Sequence, residues 1–233
     1  MLFSKLLRLC IPQNLLINHY LEVIMSYMDN NIKTNIKVII FDLGKVIVNF
    51  DHMHICKKLS KHSAFEPVRI YDIIFNSGLE ASFDKGLISP ENFYSRVKKE
   101  VQLKIDEDSF KKIWTKIFTL NPGITELISS LKNRYKLLCL SNTNTWHFNY
   151  CMQKFQVLKL FDGFILSYKV GKTKPAQAIF KKTIQHADEP PANCMYIDDI
   201  IEYVELANII GINGIHFRTI EKLKKELSEM NII

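Results

Sequence analysis

The sequence contains no C-x-x-C pair, no internal repeat, no low-complexity linker and no unbroken apolar run long enough to cross a bilayer. Each absence removes a class of protein. Without closely paired cysteines, a zinc ribbon or a thioredoxin-like redox site has no ligands. The five cysteines, Cys10, Cys56, Cys139, Cys151 and Cys194, are odd in number and scattered. They read as buried free thiols in a reducing cytoplasm rather than as a disulfide framework. Without a repeat, a solenoid or propeller is excluded. No aromatic-basic recognition motif accompanies the lysines, so the net charge of +7 does not by itself imply a nucleic-acid partner. The short pairs Lys57-Lys58, Lys98-Lys99, Lys111-Lys112 and Lys181-Lys182 read instead as solvated helix faces. A surplus of this sign also suits phosphorylated substrates.

What is present is the balance of a folded globular protein. Of 233 residues, 47% are hydrophobic and 24% charged, which is enough apolar material for a real core. That length accommodates one α/β domain with an inserted cap. Residues 1–35 stand apart as an N-terminal extension. Lys5, Arg8 and their apolar neighbours resemble a weak signal sequence, but Pro12, Gln13 and Asn14 interrupt the run and no small-residue cleavage site follows. Only 13 residues separate Arg8 from Glu22, too few for a membrane span. Two readings remain for this segment: a translation start assigned too far upstream, with Met25 or Met28 as the true start, or an amphipathic helix lying on a surface.

From residue 36 a rhythm begins. The run 36–41 is short, apolar and β-branched, and it ends in a polar and glycine turn, as a buried parallel strand does. The runs 136–140 and 194–197 repeat that pattern, and 164–167 and 214–217 are further short strands. Helical spacing occupies 123–133, 144–155, 175–186 and 200–210. Strands alternating with helices imply βαβ units and a parallel sheet. Residues 52–120 break the rhythm, with helical spacing such as Phe93, Val97 and Val101 and no convincing strand. They read as a helical cap inserted into a core made of 36–51 and 121–233.

Three strand ends carry polar residues: Asp42, then Ser141 and Asn142, then Asp198 and Asp199. In an open parallel sheet, ligands bind outside the carboxyl ends of the strands. One such acid is weak evidence, because Asp also serves in turns and caps. Three polar ends converge on one crevice. Lys174, just before Pro175 at a predicted helix start, adds a cation at an anion-favouring position. Acids, a hydroxyl and a lysine around one point suit a phosphate held with a hard cation such as Mg²⁺, because all the ligands are oxygens.

Four ordered motifs resemble the haloacid dehalogenase-like hydrolase superfamily. They are Phe41-Asp42-Leu43-Gly44, Leu140-Ser141-Asn142-Thr143-Asn144, Lys174-Pro175, and Tyr196-Ile197-Asp198-Asp199 with Ala207 and Gly211. The resemblance spans roughly residues 36–218. It is nearest to the sugar-phosphatase-like branch with Asp-Leu-Gly in its first motif, which includes bacterial α-D-glucose-1-phosphate phosphatases.

The resemblance implies a three-layer, doubly wound, Rossmann-type α/β core with an α-helical cap. It also implies a cytoplasmic, Mg²⁺-dependent phosphatase acting on a small phosphorylated metabolite, with a sugar phosphate favoured. Asp42 attacks phosphorus and forms an aspartyl-phosphate. Ser141 and the backbone of Asn142 hold phosphate oxygens, and Lys174 neutralises the phosphoryl charge. The metal is held by Asp42, Asp199 and the backbone carbonyl of Gly44, and Asp198 supports it. Neither a nucleic-acid partner nor a stable membrane span is expected, and the oligomeric state is open.

Three departures stand out, one of them Lys45, where Gly or Asn is commoner and the lysine either adds positive potential to the site or points to solvent. Family phosphatases carry a second Asp two residues after the nucleophile as general acid and base, and here that residue is Gly44. Without it, a good leaving group such as the anomeric oxygen of a sugar 1-phosphate is expected to help. Tyr203 stands where the family has Asn or Asp. His52 and His54 read first as surface or capping residues, with the site entrance as the alternative; Trp146, His147 and Phe148 read as helix packing, with a place for one of them in the substrate pocket as the alternative; and Ser82–Gly86 reads as a structural turn between cap helices. The competing functions are 2-haloacid dehalogenation with Asp42 attacking carbon, and a non-catalytic binding protein on the same fold.

Overall fold

The computed structural model describes residues 35–233. The expectation for the N-terminal extension falls, Asn35 apart, outside the described residues. Five strands form one parallel sheet: β1 (Val38–Phe41), β4 (Lys136–Ser141), β5 (Gly163–Leu166), β6 (Cys194–Asp198) and β7 (Asn213–His216). Their order is β5-β4-β1-β6-β7. The chain enters at the middle strand, fills one side and then the other.

Alternation along these strands sends neighbouring side chains to opposite faces. Ile39, Phe41, Leu137, Cys139, Met195 and Ile197 join one buried cluster. Val38, Ile40, Leu138, Leu140, Cys194 and Tyr196 join the other. Both faces are therefore covered by helices, which is why the strands read as continuous apolar runs. The first cluster takes residues of α6 (Ile124–Leu131), α7 (Thr145–Lys154) and α11 (Ile220–Glu229). The second takes residues of α9 (Gln177–Ala187) and α10 (Ile201–Ile209). The result is a three-layer doubly wound sheet.

Between β1 and α6 lie five helices: α1 (His52–Leu59), α2 (Pro67–Tyr71), α3 (Leu79–Asp84), α4 (Pro90–Val101) and α5 (Glu107–Thr115). Their starts follow local side-chain chemistry. Asp51, Ser89 and Asp106 each accept a backbone N–H at the N-cap of α1, α4 and α5, at 2.9, 3.2 and 2.7 Å. These helices bury a separate apolar cluster around Phe83, Phe93, Phe110 and Trp114. Trp146, from α7 of the sheet layer, inserts into it and lies edge-on to Phe83 at 5.5 Å.

The structure departs from the sequence reading in small ways. Val48–Asn49 (β2) pairs antiparallel with Thr119–Leu120 (β3) where the chain leaves and re-enters the sheet layer. Two-residue strands are too short to show any period. The helix expected from Pro175 starts at Gln177, with Ala176 as its N-cap. The four described cysteines are all buried and free. Among the described residues, no helix is long and apolar enough to cross a membrane.

Candidate active site

The carboxyl ends of β1, β4 and β6 open into one cavity of about 210 Å³. Asp42, Gly44, Ser141, Asn142, Lys174 and Asp199 all line it. The parallel register explains the convergence. Phe41 pairs with Cys139 on one side and Ile197 on the other, so the residues that follow each strand end at one level.

Lys174 is the centre of the cluster. It is 4% exposed, and its Nζ lies 2.7 Å from Asp42 Oδ1 and 2.6 Å from Asp198 Oδ2. Two tyrosine rings flank the ammonium, Tyr203 at 5.1 Å and Tyr196 at 5.7 Å. Such faces favour a cation. The backbone of Lys174 is fixed as well. Its N–H donates to Asn142 Oδ1 at 2.7 Å, and its carbonyl accepts from Asn142 Nδ2 at 3.1 Å. The Asn142 side chain is thus a clamp on the lysine. Asp198 is fully engaged: Oδ2 accepts from Lys174 and from the Tyr196 hydroxyl, and Oδ1 accepts from Ile200 N–H at 2.8 Å. Asp199 is anchored through its backbone carbonyl, 3.0 Å from His216 Nε2.

The electrostatics are dominated by crowding. Burial raises the Asp42 carboxyl well above the usual range, Lys174 opposes that rise, and Asp198 and Asp199 reinforce it. Burial, then Asp198, raises Asp199. Burial alone would depress Lys174, but Asp42 and Asp198 outweigh it and hold the ammonium charged. Three carboxylates offer oxygens that lie within 4.8 Å of one another, and one lysine leaves that charge incompletely balanced. An all-oxygen donor set with surplus negative charge fits a hard divalent cation. Asp198 already makes three hydrogen bonds, which leaves Asp42, through its second oxygen, and Asp199 as the carboxylates that could hold such a cation. The Gly44 carbonyl accepts Val46 N–H at 2.6 Å and keeps a second lone pair.

Four further titratable residues line the cavity: His52 and His147, for which the site was only the second reading, and Glu80 and Asp84 of the cap. His52 lies in it, stacked on Phe75 at 4.4 Å and beside Phe50 at 4.9 Å. Burial, then Lys45, lowers its imidazole to about 4. His147 is buried against Trp114 at 5.1 Å, and burial lowers it to about 3. Asp84, expected in a structural turn, and Glu80, which was not singled out from the sequence, also face the cavity. The signal for that pair was in the sequence: two acids one helical turn apart share a face.

The model of the haloacid dehalogenase-like hydrolase family matches residues 36–208. The chain belongs to that family. It is 25% identical over 183 residues to a D-ribitol-5-phosphate phosphatase of Bacteroides thetaiotaomicron, covering 76% of this chain and 89% of the relative. It is 26% identical over 155 residues to flavin mononucleotide hydrolase 1 of Arabidopsis thaliana, covering 64% and 61%. Among solved structures, a family enzyme of Bacteroides thetaiotaomicron in a magnesium complex matches with a TM-score of 0.72 at 23% identity, covering 83% of this chain and 98% of that one. That last likeness concerns the fold.

Proposed function

We propose that this hydrolase is a magnesium-dependent phosphatase that cleaves a small phosphomonoester, a sugar phosphate by preference, through an aspartyl-phosphate on Asp42. The observation that carries the reading is the contact of Asp42 with the buried Lys174 at 2.7 Å, in a cavity that Asp199 and Ser141 also line. In this reading Asp42 attacks phosphorus and Lys174 balances the charge that builds on the phosphoryl oxygens. Ser141 Oγ and the Asn142 backbone N–H bind those oxygens. Asp42, Asp199 and the Gly44 carbonyl hold Mg²⁺, and Asp198 keeps Lys174 in place. When bound, the metal screens the repulsion between the carboxylate and an anionic phosphate.

Residues 52–120 act as the cap that selects the substrate, over a core of 36–51 and 121–233. Two named relatives are phosphatases of small metabolites, and the magnesium complex of the Bacteroides neighbour is consistent with the cation. The cavity is smaller than the ~300–1,000 Å³ typical of drug-sized ligand clefts, which favours a metabolite of a few carbons. The acidic pair at the end of β6 argues against attack on a carbon–halogen bond.

The test is phosphate release from a panel of sugar, nucleotide and flavin phosphates, with Mg²⁺ and with a chelator. Release should require the metal and vanish in Asp42→Asn. Release that survives that substitution would sink the proposal.

A further inference from the structure

Position 44 carries no acid, and the Phe50 ring lies against it. A Cβ on Gly44 would lie 2.9 Å from Phe50 Cε1. Phe50 is held in turn by His52 and by Phe118, at 4.9 and 5.7 Å. A side chain at position 44 would have to displace that ring. If the chain is a phosphatase, as proposed above, the departing oxygen must take its proton from another group lining the cavity.

Most of the titratable groups there are unsuitable. His52 and His147 are neutral near pH 7 and so are poor acids, being lowered to about 4 and about 3 by burial. His147 also has both ring nitrogens engaged, by Trp114 O at 3.1 Å and Asn144 Nδ2 at 3.2 Å. Lys174 is ion-paired to Asp42 and Asp198. Lys45 Nζ donates to the Phe50 carbonyl. Burial raises the Tyr203 hydroxyl above its already high ordinary value. Asp199 belongs to the proposed metal site.

Glu80 and Asp84 remain. They sit one turn apart on α3 and face the cavity from the cap. Asp84 accepts from Asn144 Nδ2 at 2.9 Å and bonds the Glu80 carboxyl. Two carboxyls in hydrogen-bond contact share a proton rather than both ionise. Burial, then Asp84, raises Glu80; burial raises Asp84 too, but Asn144 and Glu80 oppose it. The amide of Asn144 donates to Asp84 and so favours Asp84 as the anion, which leaves the shared proton to Glu80. The pair is fixed to the sheet layer. Ser167 Oγ donates to the Asp84 carbonyl at 2.5 Å. A Cβ on Gly86 would lie only 2.3 Å from Tyr168 O, so backbone meets backbone at that junction.

We propose that the Glu80–Asp84 pair of the cap is the proton donor and acceptor of the reaction, in place of the acid missing at position 44. In the first step the Asp42–phosphorus bond forms and the phosphorus–ester oxygen bond breaks. Glu80 gives its proton to the departing oxygen, releasing the alcohol and leaving a carboxylate. In the second step water attacks phosphorus, its proton returns to Glu80, and the Asp42–phosphorus bond breaks to release phosphate. The substrate class that follows is the ester of an ordinary alcohol, whose oxygen leaves poorly without a proton. The preference for an activated leaving group expected from Gly44 alone then disappears.

The experiment compares p-nitrophenyl phosphate with glycerol 3-phosphate in the Mg²⁺-loaded full chain. Positioned proton transfer contributes about 10²–10⁴-fold. In single-turnover measurements Glu80→Gln should therefore slow alcohol release from glycerol 3-phosphate by about that factor and p-nitrophenol release by less than about threefold, while the later hydrolysis of the aspartyl-phosphate slows alike for both. The wild type should lose kcat on the alkyl ester as pH rises through the titration of Glu80, and Glu80→Gln should lack that limb. Asp84→Asn, whose amide would stabilise Glu80 as an anion, should show the same selective loss and serves if the first variant does not fold. Equal losses in the first-turnover rate of alcohol release from both substrates, or none from the alkyl ester, would overturn the assignment. Activity that persists in Asp42→Asn would instead overturn the phosphatase reading itself.

Discussion

Replacing His147 with Gln should flatten the acid side of the stability curve. The imidazole is 6% exposed. Its two nitrogens are matched to one neutral tautomer: Nε2–H donates to Trp114 O at 3.1 Å and Nδ1 accepts from Asn144 Nδ2 at 3.2 Å. A second proton would turn Nδ1 into a donor facing a donor. Burial and this mismatch agree with a folded value lowered from 6.5 to about 3. The unfolded state therefore binds more protons, and stability falls as pH drops from the unfolded value towards the folded one. At pH 8 both states are neutral at this residue. At pH 5 the unfolded chain is protonated and the folded chain is not, a difference of about 2 kcal/mol at ~1.4 kcal/mol per pH unit. Gln keeps one acceptor and one donor in the same place and does not titrate. Urea unfolding at pH 8 and pH 5 should show the wild type losing about 2 kcal/mol more than His147→Gln. His52 and the carboxylates titrate in both proteins and cancel. Equal losses in the two proteins would refute the reasoning.

Three other outcomes follow from the packing. Lys174→Met strands Asp42 and Asp198, which are 7% and 0% exposed, so chemical denaturation should show a loss of about 3–5 kcal/mol together with loss of turnover. Trp114 is fully buried and its Nε1 has no hydrogen-bond partner. Trp114→Phe should therefore cost under about 1.5 kcal/mol, whereas Trp114→Ala should cost about 3–5 kcal/mol by the same measurement. Gly86 has φ +68° and no room for a Cβ beside Tyr168 O. Gly86→Ala should lower stability by at least about 2 kcal/mol in thermal unfolding.

The parts of the site that were legible in the sequence lie at strand ends. Runs such as Val38–Phe41 and Cys194–Ile197 are short, apolar and buried on both faces, and each ends abruptly at an acid. Parallel topology then brings Asp42, Ser141 and Asp199 to one cavity without further information. The cap side was not legible in the same way. Glu80 and Asp84 follow the spacing of any solvated helical face, and only the docking of α3 against Ser167 and Tyr168 turns them inward. His52 reads as a helix-start residue, yet it is drawn into the cavity by Phe75, which sits in the π-helical turn Asp72–Asn76. Asn142 was expected to help through its backbone. Its side chain turns out to clamp Lys174, a contact 32 residues apart that no local pattern encodes.

The measurement that bears most directly on the central claim is where the phosphoryl group goes. The Mg²⁺-loaded enzyme would be mixed with a radiolabelled phosphomonoester, quenched in acid within milliseconds, digested and mapped by mass spectrometry. Label should appear on the peptide that carries Asp42 and be absent in Asp42→Asn. Turnover with no label on Asp42, or label on a different residue, would contradict it.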